Sequence, residues 1–197
     1  MNIGMKRGIV YLENHNPKWE SIAHNTINTL HDILGKDADD IQHVGSTAIR
    51  SIKAKPIIDI AVGVADYDAV LRKNTELEQH HLIFRFDERP VQLLYVMGDF
   101  IKDTRTHHIH VVTMHSAEWV KYINFRDYLN AEEHAAREYE KRKIELAQRF
   151  SNDRSAYVNG KANIISKLLQ EAAAWRNRQK NRGCSITELS NRCNQNN

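Results

Sequence analysis

Apolar positions along the chain repeat with different periods, and each change of period marks an element. Residues 8–12, "GIVYL", form a short apolar run that predicts an extended entry strand. From Pro17 to about Gly35 the spacing becomes helical, with Trp19, Ile22, Ile27, Leu30 and Leu34 on one face, Asn16 as a cap and Pro17 in the first turn. The pattern then shortens to a strand, "IQHV", and a loop or single helical turn, "GSTAIRSIKAK". "PIIDIAVGV" follows, a continuous β-branched run expected of a central strand, with Pro56 at its start. "ADYDAVLRKNTELEQH" predicts a helix through Val70, Leu71 and Leu77. "LIFRF", "QLLYVM" and "HIHVVT" predict three more strands, the last two joined by the polar "GDFIKDTRTH".

Beyond Thr113 the pattern is helical. Ser116 is placed to cap "SAEWVKYINFRDYLN", and a strongly charged helix, "EEHAAREYEKRKIELAQRF", follows it. "SNDRS" interrupts, and "AYVNGKANIISKLLQEAAAWRNR" resumes with Tyr157, Lys161, Leu168, Ala172 and Trp175 at helical spacing. The expected organisation is one α+β domain over residues 1–177, with a sheet core at about 8–114 and a helical part at about 116–177. Residues 178–197 are expected to be a loose polar tail.

Composition narrows the class. With 41% hydrophobic and 27% charged residues the chain is that of an ordinary globular protein, and its apolar runs are too short to span a bilayer. The first twenty residues lack the apolar core of a secretion signal, so a cytoplasmic location is expected. Cys184 and Cys193 are the only cysteines and are expected as free thiols. A net charge of +3 suits an anionic ligand but is too small to argue for nucleic acid, which ranks last among partners.

The chemistry concentrates at residues 43–64, "HVGSTAIRSIKAKPIIDIAVGV", where Asp59 interrupts an apolar strand. A lone buried carboxylate is costly unless it is paired, hydrogen-bonded or bound to a metal. One reading pairs Asp59 with Arg50, Lys53 or Lys55. The other places it beside a Gly45-Ser46 turn whose backbone N–H groups and hydroxyl face phosphate, with a divalent cation bridging the carboxylate and the phosphates.

This stretch resembles the signature of the GrpB family, also called UPF0157, which is grouped with the nucleotidyltransferase superfamily. The likeness continues through "THHIHVV", "EWVKYINFRDYL", the Tyr139 to Lys143 segment and "YVNGKANII", roughly residues 8 to 176. It implies a nucleotidyltransferase-like mixed sheet flanked by helices, with a helical region after it. It also implies binding of a nucleoside triphosphate and a divalent metal (Mg, Mn or Zn), with Asp59 as the catalytic metal ligand. Two departures stand out. Arg50 and Ser51 replace the family's Pro-Gly turn, and Ala61 stands where active nucleotidyltransferases carry a second acid two residues on.

In "THHIHVVT", His108 and His110 share one strand face while His107 and Ile109 share the other. The strand resembles in position the one on which the superfamily carries its third acid, so His108 and His110 are candidate metal ligands beside Asp59, with His43 nearby. Imidazole suits Mn or Zn better than Mg. Gly45, Ser46, Lys53, Lys55, Arg126, Lys143 and Lys161 are candidate phosphate-binding residues, although Arg126 beside Asp127 could equally be an ion-pair partner. Two functions follow: transfer of a nucleotidyl group to an acceptor, or a non-catalytic nucleotide- or anion-binding module. The resemblance supports the module through GrpB domains fused to dephospho-CoA kinase, which implies a protein partner.

Overall fold

A computed structural model describes residues 3–193, those from 182 onward by backbone alone. Its centre is a five-stranded mixed sheet in the order β2 (Asp40–Val44), β3 (Ile58–Val64), β7 (His107–Thr113), β5 (Gln92–Met97), β4 (Ile83–Glu88). Only β3 and β7 run parallel, and the other neighbours are antiparallel. This is the α+β arrangement that the resemblance implies.

β3 has a strand on each side and helices over its faces, so six of its seven residues are buried. That explains its continuous β-branched run. Helix α1 (Lys18–Leu34) covers one face with Trp19, Ala23, Leu30, Ile33 and Leu34, which join Ile58, Ile60, Val62 and Val64 in the main core. Asn16 Oδ1 accepts from the Lys18 N–H at 3.0 Å, satisfying one free donor of the first turn.

Four helices make up the second region: α4 (Ala117–Ala131), α5 (Glu133–Arg149), α6 (Arg154–Gly160) and α7 (Ala162–Cys193). Ser116 caps α4 by accepting from the Trp119 N–H. Their core takes in Ile49 and Ile52 from the loop after β2, packed on Tyr128, Leu129, Ala136, Tyr139 and Leu168. The same loop is tied by polar side chains of α4 and α5. Asn130 donates to the Ala48 carbonyl, Arg137 to that of Ser51 and Lys143 to that of Lys53, while Glu140 accepts from the Lys53 N–H.

Several expectations change. Residues 8–12 are not a strand: Val10 donates to the Ser151 carbonyl beside the helical region, and the N-terminal pairing is instead β1 (Met5–Lys6) with β6 (Thr104–Arg105). The helix expected over 65–80 is two short ones, α2 (Tyr67–Leu71) and α3 (Asn74–Gln79), and the last expected helix breaks at Gly160–Lys161. The backbone of α7 continues to Cys193, well past residue 177 where the domain was expected to end. Cys184 and Cys193 lie outside the residues whose side chains are described. No helix among the described residues is long and apolar enough to cross a membrane.

Candidate functional site

Parallel pairing of β3 with β7 sets Asp59 against His108 and Ala61 against His110, so all four project from one sheet face. Asp59 Oδ1 accepts from His108 Nδ1 at 3.0 Å and lies 3.8 Å from His110 Nε2. Burial alone would raise the carboxyl pKa, but the hydrogen bond from His108 and the adjacent His110 imidazole hold it well below the usual carboxylate range. One atom from each of Asp59, His108 and His110 lies within 4.8 Å of the others. His107, on the opposite face, is buried between Thr26 and Thr106, and its desolvation lowers its pKa to about 4.

Gly45 makes the close approach to Asp59 feasible. Its φ is 70° and ψ −170°, and a Cβ there would lie 2.4 Å from Asp59 Oδ2 and 2.8 Å from Asp59 Cβ. Only glycine lets the loop backbone pass this near the carboxylate. A short 3-10 turn, Ser46–Ala48, follows it, and Ser46 lies beside the Tyr139 phenol.

Between the sheet and α4–α7 lies a cavity of about 480 Å³, whose wall includes Gly45, Ser46, Asp59, His108 and His110. Lys55, Lys143, Arg154 and Lys161 form a cationic side, and Tyr122, Phe125, Tyr139 and Tyr157 an aromatic one. The charged ends of Lys55, Arg154 and Lys161 make no ion pair among the described residues; Lys55 and Lys161 lie 5.5 and 4.6 Å from the Tyr157 ring centroid. Lys143 is 1% exposed, and its ammonium sits 4.7 Å from the Tyr139 ring centroid while bonding the Lys53 carbonyl.

Crowding cations into a desolvated wall disfavours their charge. Burial, then the neighbouring Lys161, lowers Lys143 to about 7, and burial with Lys161 and Arg154 lowers Lys55 to about 8. Lys161 is lowered as well, chiefly by burial. An anion entering the cavity would relieve this repulsion.

Not every candidate residue reaches the cavity. Lys53 presents its backbone to α5 and does not line it. Arg126 lies elsewhere too, its guanidinium spanning Asp127, the Gln42 side chain and the His43 carbonyl. His43 bonds Thr47 at 2.9 Å, outside the cavity lining, and burial lowers its pKa to about 4. Conversely, Arg154 and the aromatic wall were not singled out from sequence. Arg154 hides in the polar "SNDRS" break, whereas Tyr122, Tyr139 and Tyr157 recur on the apolar faces of successive helices.

Fold and site together define a mixed-sheet α+β protein with a cationic, aromatic-walled cavity above an acid–imidazole cluster. The family model for GrpB protein matches residues 9–171, and the chain belongs to the GrpB family. It is similar to the glutamate-rich protein GrpB of Alkalihalophilus pseudofirmus, with 36% identity over 172 residues covering 86% of this chain and 99% of that one. UPF0157 protein YqkA of Bacillus subtilis is 28% identical over 87% of this chain, which spans only 50% of that relative. Conserved protein GrpB from Enterococcus faecalis matches structurally with a TM-score of 0.75 and 27% identity, over 82% of this chain and 96% of that one.

Proposed function

We propose that the cavity binds a nucleoside triphosphate with a divalent metal ion, and that the chain transfers the nucleotidyl group to an acceptor. The observation that carries this reading is the meeting, in one cavity, of the Asp59–His108–His110 cluster, the unpaired Lys55, Lys161 and Arg154, and an aromatic wall. The size fits: ligand pockets run from about 300 to 1,000 Å³.

In this reading Tyr122, Phe125 and Tyr139 pack against the base, and Lys55, Lys161 and Arg154 take up the phosphates. The ion, held by Asp59 and the histidines, would neutralise phosphate charge. The oxygen of an acceptor hydroxyl attacks the α-phosphorus as its proton passes to solvent, the bond from that phosphorus to its bridging oxygen breaks, and pyrophosphate leaves. The lysines and Arg154 receive the charge that builds on the leaving group, and positioning with electrostatics does most of the work in such transfers.

One specific observation favours a second reading. Ala61 is fully buried beside His110, where a second acid would be expected, so Asp59 is the one carboxylate of the cluster among the described residues. A nucleotide- or anion-binding module that acts on a protein partner would need nothing more. Thermal melts of wild type and Asp59→Ala, with each nucleoside triphosphate and with or without Mg, Mn or Zn, test the binding. At one hundred times Kd a ligand stabilises by about 2.7 kcal/mol, roughly 5–10 °C for a chain of this size. A metal-dependent rise that Asp59→Ala abolishes supports the metal–nucleotide reading, whereas no rise with any nucleotide refutes it. Release of pyrophosphate in the presence of acceptors separates transfer from binding alone.

A further inference from the structure

The cluster at Asp59 differs in kind from a magnesium site. Magnesium takes oxygen ligands in near-ideal octahedral geometry, keeps several waters, and typically arrives with its phosphates. Here two of the three convergent ligands are imidazoles, and no other carboxylate joins the group among the described residues. The spacing suits a smaller coordination shell. Metal–ligand bonds of about 2.0–2.1 Å at tetrahedral angles put ligand atoms about 3.3 Å apart. Asp59 Oδ1 is 3.0 Å from His108 Nδ1 and 3.8 Å from His110 Nε2.

The ring of His110 is also oriented from behind. Its Nδ1 is 2.9 Å from Gln92 Oε1, an acceptor that holds the Nδ1–H tautomer and leaves the Nε2 lone pair aimed at Asp59. β5 puts Leu94 opposite His110, so Gln92, two residues earlier on the same face, reaches the ring diagonally. The Tyr122 ring packs 5.1 Å from the imidazole on its cavity side. A histidine whose far nitrogen is fixed by a hydrogen-bond acceptor is the usual arrangement behind a metal-bound imidazole.

We propose that Asp59 Oδ1, His108 Nδ1 and His110 Nε2 hold one resident transition-metal ion of the zinc class, which binds without nucleotide, and that Gln92 is a positioning residue for it. Three protein ligands leave a position open towards the cavity, as in hydrolytic zinc centres. The hydrogen bond between Asp59 and His108 is what the ion replaces: His108 carries its proton on Nε2 once Nδ1 ligates. This inference deepens the metal part of the proposed function, but it stands or falls without the nucleotide.

The full chain, stripped with chelator and then dialysed free of it, is titrated with Co2+ alone, followed by visible absorption and by metal content. One Co2+ per chain, a low-coordinate d–d spectrum, displacement by equimolar Zn2+ and none by a hundredfold excess of Mg2+ are expected. Gln92→Leu should weaken Co2+ affinity about 10- to 100-fold, the usual loss from removing such an outer partner. Gln92→Glu, which keeps the acceptor, should hold affinity near wild type. Thermal melts of the stripped proteins check that both variants are folded. No stoichiometric Co2+, displacement by Mg2+, or equal weakening in both Gln92 variants overturns the proposal and leaves Asp59–His108 as a hydrogen-bonded pair. Nucleotide binding is measured separately, so its failure with Co2+ binding intact would sink only the transferase reading.

Discussion

Replacing Gly45 with alanine should damage the protein more than any other single-methyl addition around the site. Two costs combine. The backbone at φ 70°, ψ −170° lies in a region open essentially to glycine, and holding another residue there costs about 1–3 kcal/mol. The new Cβ would also meet Asp59 Oδ2 at 2.4 Å and Asp59 Cβ at 2.8 Å, both shorter than a real contact allows. Forcing a methyl into a packed site costs typically about 1–3 kcal/mol more. The total, about 2–6 kcal/mol, corresponds to a fall of roughly 4–24 °C in Tm at about 2–4 °C per kcal/mol. Calorimetry with urea unfolding measures it. A double-mutant cycle with Asp59→Ala isolates the Oδ2 part of the second cost: removing the carboxylate relieves that clash but leaves the Cβ contact and the strained φ, so the pair should couple by about 0.5–3 kcal/mol. A Gly45→Ala protein melting within 2 °C of wild type, or strict additivity in the cycle, would refute the close-approach argument.

Lys161→Met should weaken nucleotide binding about 10- to 150-fold, the worth of one charge-assisted contact, while Arg126→Met and Lys53→Met stay within about twofold by calorimetry. Equal losses in all three would make the effect general charge rather than cavity contact. Tyr122→Ala should cost about 1–3 kcal/mol of nucleoside triphosphate affinity but little for inorganic tripolyphosphate, since stacking concerns only the base; parallel losses would remove Tyr122 from the base site. Lys143 and Lys55 titrate at about 7 and 8 when folded, below the ordinary 10.5, so the unfolded chain binds more protons between those values. Their contribution to stability is therefore complete above about pH 10.5 and lost as pH falls through 8 and 7. In phosphate-free buffer, Tm should rise from pH 7 to 9.5 more steeply for wild type than for Lys143→Met, and parallel curves would contradict the assignment.

The strands were legible because a half-buried or fully buried strand writes its period into the side chains, as "QLLYVM" and "HHIHVVT" do. Residues 8–12 misled because their apolar content serves packing: Val10 joins Leu146 and Tyr157, and its amide finds a partner on the helical side. At the site, strand parity alone placed His108 and His110 on one face and His107 on the other. Nothing in a sequence says where a long side chain ends, and this separates Arg126, drawn to Gln42 and Asp127, from Lys161, which reaches the cavity. Gln92 was invisible for a related reason: its importance lies in one hydrogen bond to a ring on a strand distant in sequence.

The loop between β2 and β3 explains why the cavity and the helical region cannot be treated separately. Its apolar residues, Ile49 and Ile52, are buried in the helical core, and its carbonyls at Ala48, Ser51 and Lys53 are bonded by Asn130, Arg137 and Lys143. The conformation that brings Gly45 against Asp59 and Ser46 to Tyr139 is therefore held largely from the helical side, although the acid sits on the sheet. Lys143 takes part in both functions, since its ammonium holds the Lys53 carbonyl and adds positive charge to the cavity wall. Neutralising it removes a buried donor as well as a charge, so loss of binding in a Lys143 variant would not by itself identify a phosphate ligand. Lys161 carries no such structural bond from its ammonium, and its substitution is the cleaner measure of what the cavity's charge does.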